Sequence, residues 1–273
     1  MEQIRPAAVA GTFYPGEGKI LSQEIDSLIA SARQTSHADV DARVPKALVA
    51  PHAGYRYSGP IAASAYSHLA SGRGWIQRVV LLGPAHRVPV RGLALPDAAG
   101  FATPLGVIPI DREAIAAISG LPQVTVNAAA HAWEHSLEVQ LPFLQEVLGT
   151  FTLIPLVVGD AVAEEVAEVL DCLWNGKETL LVVSSDLSHY LPYDAARNED
   201  HATAEAILNL SGPLSHEQAC GGTPLNGLLL AARRRHLHPK LLDLRNSGDT
   251  AGDHANVVGY GAFAFFEETA HVH

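Results

Sequence analysis

The stretch Lys46–Gly59, KALVAPHAGYRYSG, opens with an unbroken apolar run, stops at Pro51, and then sets His52 beside Gly54 and Gly59. A short apolar run bounded by turn residues predicts a strand covered on both faces, the kind that fills the inside of a parallel sheet. The same grammar recurs in RVVLLGPAH (78–86) and TLLVVSSDLSHY (179–190), where His86 and Asp186 follow the run. Four more strands are expected in RGLALPD, TLIPLVVGD, KLLDLRNSGD and VVGYGAFAFF. Amphipathic stretches between them predict helices over 19–34, 60–70, 112–118, 135–148, 161–174, 197–210 and 224–236. Strands alternating with such helices specify a layered α/β fold. No linker, low-complexity block or internal repeat divides the chain, so residues 1–273 are read as one domain.

Open α/β sheets bind ligands beyond the carboxyl ends of their strands. His52, His86 and Asp186 each follow a strand-like run, so three parallel neighbours would bring them to one cleft. Imidazole is both the commonest protein ligand for Zn, Cu, Fe and Ni and the side chain best suited to proton transfer near neutral pH. His52 and His86 are therefore read as metal ligands. Tyr57, two residues beyond Tyr55 at the expected turn, offers a phenol that can bond a substrate oxygen. In SSDLSHY, Asp186 and His189 lie three residues apart, which on a helical turn would put them on one face. Such a pair either binds metal or works as an oriented proton-transfer couple, while Ser184, Ser185 or Asp186 would also serve to cap a helix start.

In AAHAWEHSLEVQLPFLQ, Leu137, Leu141 and Leu144 mark a buried stripe and His135 falls at a helix N-terminus, which favours a neutral imidazole able to accept a proton. His131 is expected at the surface. His37, His68, His201, His216, His236, His238, His254, His271 and His273 have no comparable context. Of the two cysteines, Cys172 lies in EEVAEVLDCLW at helical spacing and reads as a small buried residue, whereas Cys220 sits in QACGGTPL beside two glycines that let a backbone approach closely. Neither belongs to a C-x-x-C pair, which fits a reducing compartment.

Several function classes lose support at this level. A net charge of -11 argues against general polyanion binding, because neutralising phosphates takes a surplus of Lys and Arg. No apolar stretch approaches the roughly 20 residues that span a bilayer, and MEQIRPAAVAGTFYPG lacks a signal-peptide profile. A cytoplasmic location is the resulting expectation, with no nucleic acid and no membrane as partners. There is no G-x-S-x-G elbow, no G-x-G-x-x-G after the first strands and no P-loop, and Cys220 as a thiol nucleophile is the weaker reading.

Together with RPAAVAGTFYPG, the segments PHAGYRYSG, GPAH, EHSLEVQLPFL, SSDLSHY and ACG resemble the Memo family, known in prokaryotes as AmmeMemoRadiSam system protein B. The resemblance runs from Pro6 to about Phe266. That family in turn is similar to the class III extradiol dioxygenases (LigB-like), which cleave catechol rings with non-haem iron. The resemblance implies a single three-layer α/β/α domain with a central mixed, largely parallel sheet. It implies His52 and His86 as imidazole ligands, Cys220 where the dioxygenases have a carboxylate, His135 and His189 as acid/base histidines, and Asp186 and Tyr57 in the pocket. A thiolate is softer than a carboxylate and shifts preference toward Cu(I), Zn or thiolate-ligated iron. The expected function is a metal-binding redox protein or oxygenase acting on a small molecule, with Fe(II) the first choice of metal and Cu or Zn the others. The competing expectation is a non-enzymatic module that binds a metal or a peptide in the same cleft. Partnership with radical-SAM proteins follows only from the family name.

Overall fold

The computed structural model describes residues 3–35 and 43–268; His37, His271 and His273 lie outside the described residues. In chain order the elements are β1 (Ile4–Arg5), α1 (Gly18–Thr35), β2 (Ala47–Ala50), α2 (Tyr55–Tyr66), β3 (Arg78–Pro84), β4 (Leu93–Leu95), β5 (Gly100–Thr103) and β6 (Gly106–Pro109). Then come α3 (Arg112–Ile118), β7 (Val124–Val126), α4 (Ala128–Ala132), α5 (Leu141–Leu148), β8 (Thr152–Val158), α6 (Ala163–Leu173), β9 (Thr179–Ser184) and β10 (His189–Leu191). The chain closes with α7 (Tyr193–Leu208), α8 (Gly222–Arg234), β11 (His238–Asn246) and β12 (Val257–Phe266).

The main sheet runs β10-β12-β2-β9-β3-β8-β4-β7, with β11 also paired to β12. Its centre, β2, β9, β3 and β8, is parallel, and antiparallel strands flank it on both sides. The apolar runs divide by alternation. Leu48, Val79, Leu81, Leu180 and Val182 join the core under α1, α2 and α5, while Val49, Val80, Leu82, Leu181 and Val183 join the core under α3, α6, α7 and α8. This is a three-layer α/β/α domain. Leu21, Ile25 and Ile29 show why α1 docks: they recur every fourth residue and are all buried.

All seven expected strands form. The helix expected from residue 60 begins earlier, at Tyr55, so Tyr57 belongs to the first turn of α2 and not to a loop. The stretch 185–188 is neither helix nor strand, and His189 opens β10. Asp186 and His189 are thus not joined by a helical turn, and no helix starts there for Ser184, Ser185 or Asp186 to cap. Tertiary demand wins here, because the Asp186 carboxylate accepts the backbone N–H of His52 at 2.7 Å.

Two burial expectations are corrected. Cys172 is exposed, because the buried stripe of α6 runs through Val166, Val169, Leu170 and Leu173, and a residue six past Val166 points roughly 240° round the helix from it. His131 is buried at 2% exposure, edge-on to Phe101, with Nε2–H donating to Ala94 O at 2.8 Å.

A buried carboxylate ties down the N-terminal segment. Glu138 accepts from the Arg5 guanidinium, from Ala8 and Val9 N–H, and from Tyr14 OH at 2.6 Å. Arg5 also donates to the carbonyls of His131 and Glu134. Glu138→Ala strands that guanidinium and two amides, so urea unfolding should show a loss of about 3–5 kcal/mol, the usual cost of breaking one side of a buried ion pair. A loss under about 1 kcal/mol would mean that water reaches these groups freely.

Burial holds His131 down at about 4, from an ordinary value of 6.5. On acidification the unfolded chain takes up this proton first. The stability linked to His131 is therefore complete above about 6.5 and lost as pH falls toward 4, by about 3 kcal/mol at most. Urea unfolding at stepped pH should show a shallower acid-side decline for His131→Gln than for the parent, and parallel declines would assign the slope elsewhere.

Candidate metal centre

β2, β9 and β3 are adjacent and parallel, so the segments that follow them leave the sheet on one edge. Pro51 ends β2 and delivers His52, which is 2% exposed. His86 follows β3, and its side chain is 29% exposed. Asp186 follows β9, and Cys220 comes from the turn before α8. Cys220 N donates to Asp186 O at 3.2 Å and Asp186 N donates to Cys220 Sγ at 3.3 Å, so these two segments are stitched together. The His52 ring nitrogen Nε2 lies 3.2 Å from Cys220 Sγ. Gly221 permits this approach, since a Cβ there would sit 2.6 Å from Ser185 Cβ and 2.8 Å from Ser184 O.

One ligand-capable atom from each of His52, His86 and Cys220 lies within 4.8 Å of the other two. Atoms so placed reach a common centre at the roughly 2.0–2.3 Å of metal–nitrogen and metal–thiolate bonds through shifts of under about 1 Å. A second trio, His86, Glu134 and His135, meets the same distance limit. Its carboxylate is already committed. Glu134 Oε1 accepts from His86 Nδ1 and from the N–H groups of His135 and Ser136, each at 2.9 Å, and Oε2 accepts from His86 N at 2.7 Å. The first trio is thus the better donor set.

Glu134 also fixes what His86 can do. Burial pushes its carboxyl up, but the His86 hydrogen bond, the His86 charge and the backbone donors outweigh that and hold it at about 2. An ionised carboxylate only accepts, so His86 Nδ1 carries a proton, and in the neutral ring the lone pair falls on Nε2. This carboxylate–histidine pairing is the arrangement that orients imidazole ligands. Its sequence signal was present, a Glu one residue before His135, but its partner is 48 residues away.

Around the trio stand the remaining predicted residues. The His135 ring stacks on His86 at 4.7 Å and meets His52 edge-on at 5.6 Å. Burial, then the neighbouring His52 and His86, holds His135 at about 4, and burial first among its causes holds His52 at about 3, so both rings are neutral. His189 Nδ1–H donates to Leu187 O at 2.8 Å, which leaves its Nε2 lone pair free. Burial pushes the Asp186 carboxyl and the Cys220 thiol above their ordinary values.

These residues share a cleft of about 890 Å³ lined by His52, His86, His135, Asp186, His189 and Cys220, with Arg87, Tyr190, Glu199, His216 and Glu217 at its wider parts. Tyr57 is not brought to this lining; it is 38% exposed on α2. His216 is brought there although its sequence context, between Ser215 and Glu217, gave no signal.

A family profile described as Memo-like protein matches residues 5–264. The chain is 35% identical to a MEMO1 family protein of Ignicoccus hospitalis, over 96% of this chain and 98% of that one. MEMO1 family proteins of Sulfurisphaera tokodaii and Aquifex aeolicus are each 34% identical, over 96% of this chain and 99% of theirs. End-to-end matches of this kind, on a fold that gathers the quoted histidine segments around one cleft, establish that the chain belongs to the Memo family.

Proposed function

We propose that this chain holds one transition-metal ion on His52, His86 and Cys220 and acts as a metal-dependent oxidoreductase on a small molecule bound in the adjoining cleft. The observation that carries this reading is the approach of two imidazoles and a thiol, from three distant segments, to within bonding reach of one point. A cation would take the two imidazole lone pairs and convert the thiol to a thiolate, so the donor set fits a borderline or soft metal: Fe(II) first, Cu or Zn otherwise. Bound there, such an ion supplies Lewis-acid or one-electron chemistry at its open positions.

The protein's own part is proton handling and positioning. The Leu187 hydrogen bond to His189 Nδ1 puts the neutral ring's lone pair on Nε2, which suits a general base toward a substrate hydroxyl. His135 is neutral at physiological pH, so it does not repel a cation and offers a hydrogen-bonding ring to the bound molecule. Asp186, whose carboxyl burial raises above its ordinary value, serves as a proton-exchange partner beside His189 and His135. Arg87 and His216 in the lining suit an anionic or hydroxylated group on the incoming molecule. The cleft volume falls within the range of small-molecule sites.

Metal analysis of untagged protein, purified without chelators, should give about one equivalent per chain. His52→Ala and His86→Ala should lose it, and Cys220→Ala should weaken it; unchanged metal content in all three would dismiss the centre. His189→Ala separates an enzyme from a binding module. Oxygen uptake with a panel of catechols after anaerobic Fe(II) loading should fall about 100- to 10,000-fold in this variant while metal content holds. Full metal content with no turnover in the parent would favour a non-enzymatic metal-binding module.

A further inference from the structure

Ser184, the last residue of β9, has three polar neighbours and a single proton to give. Its Oγ lies 2.6 Å from Ser136 O, 2.7 Å from Gln140 Nε2 and 2.9 Å from His52 Nδ1. A backbone carbonyl only accepts, so the hydroxyl proton goes to Ser136 O. The Gln140 amide is oriented by two other contacts. Its Oε1 accepts from Tyr66 OH at 2.7 Å, and its Nε2 donates to Pro51 O at 3.0 Å. Reversing the amide would set its oxygen against the Pro51 carbonyl, so the group facing Ser184 is a donor.

Ser184 Oγ therefore spends its proton on Ser136 and one lone pair on Gln140. Toward His52 only its second lone pair remains, and the ring must donate. A neutral imidazole carries one proton, and the partner of one nitrogen decides the state of the other. We propose that Ser184, backed by Gln140 and Tyr66, is a positioning residue that locks His52 in the Nδ1–H tautomer and leaves the Nε2 lone pair facing Cys220.

Tyr66, Gln140, Ser184, Ser136 and His52 are all buried at 2% exposure or less. No bulk water reaches the chain of donors to offer His52 another partner, and buried networks of this kind are costly to break. The lock reaches His52 from the sheet side, while Glu134 does the equivalent for His86 from the loop that carries His135. Two imidazoles are so given the same tautomer by unrelated partners, one a neutral hydroxyl and the other a carboxylate. The functional meaning of the lock rests on the metal-centre reading; the tautomer itself does not.

The test is long-range ¹H–¹⁵N correlation of the imidazoles in ¹⁵N-labelled, metal-free protein at neutral pH, followed by titration with Zn²⁺ alone. The parent should show His52 with a protonated Nδ1 and a bare Nε2. Ser184→Ala should move His52 toward the Nε2–H form while His86 keeps its signature, and should weaken Zn²⁺ binding about 10- to 100-fold, the usual effect of losing a partner that orients a ligand. A protonated Nε2 in the parent overturns the proposal without any variant. An unchanged His52 tautomer in Ser184→Ala also overturns it. A parent with the expected tautomer that takes up no Zn²⁺ supports the lock and removes the metal-centre reading instead.

Discussion

Buried loops survive only when their backbone donors find acceptors. In this protein the segments that build the cleft are loops packed between sheet and helices, and carboxylates supply the missing acceptors. Asp186 accepts from His52 N, Glu134 from the backbones of His86, His135 and Ser136, and Glu138 from Ala8 and Val9. Each acid joins a segment to one that is distant in sequence. The cleft therefore owes its shape to three buried carboxyl groups that accept backbone N–H groups, one at Asp186, three at Glu134 and two at Glu138. That arrangement explains why EHSLEVQ, which carries two of the acids, sits at the junction of the N-terminal segment, the His86 loop and α5.

The sequence made the sheet legible because its strands are covered on both faces. Runs such as TLLVVS and RVVLLG cannot be solvent-facing, and their ends fall where glycine, proline or serine breaks the run. Three neighbours in parallel then carry His52, Asp186 and His86 to one edge. The short elements were not legible. β1, β5, β6, β7 and β10 are two to four residues long, too short for alternation to show. The five-residue α4 hid the burial of His131 for the same reason.

The partners of the site residues were hidden by a different cause. Helical spacing suggested Asp186 and His189 as a local pair, yet neither pairs with the other: Asp186 finds His52 N through the fold, and His189 turns back on Leu187 O, two residues before it. Periodicity reports which face of an element is apolar. It carries no information about which acid, 48 or 134 residues away, will meet a given histidine. Cys220 was singled out by its glycines, and that signal was sound, because Gly221 is where a side chain would collide with Ser185. Cys172 was placed on the apolar stripe by helical spacing and turned out to face water.

The cleft is uneven in its access to solvent, and this sets what the donor set can do. His52 is sealed at 2% exposure against Ser184, while the His86 side chain is 29% exposed. A ligand arriving from solvent therefore has access to His86 before His52, in a lining that also includes Arg87, His135, His189 and His216. The buried side gains rigidity from hydrogen bonds that fix ring orientation; the open side gains room. Charge matters as well. With His52 and His135 held well below their ordinary values, a cation entering the cleft meets two neutral rings there. Burial, which makes these rings poor bases, is thus what keeps them unprotonated at neutral pH.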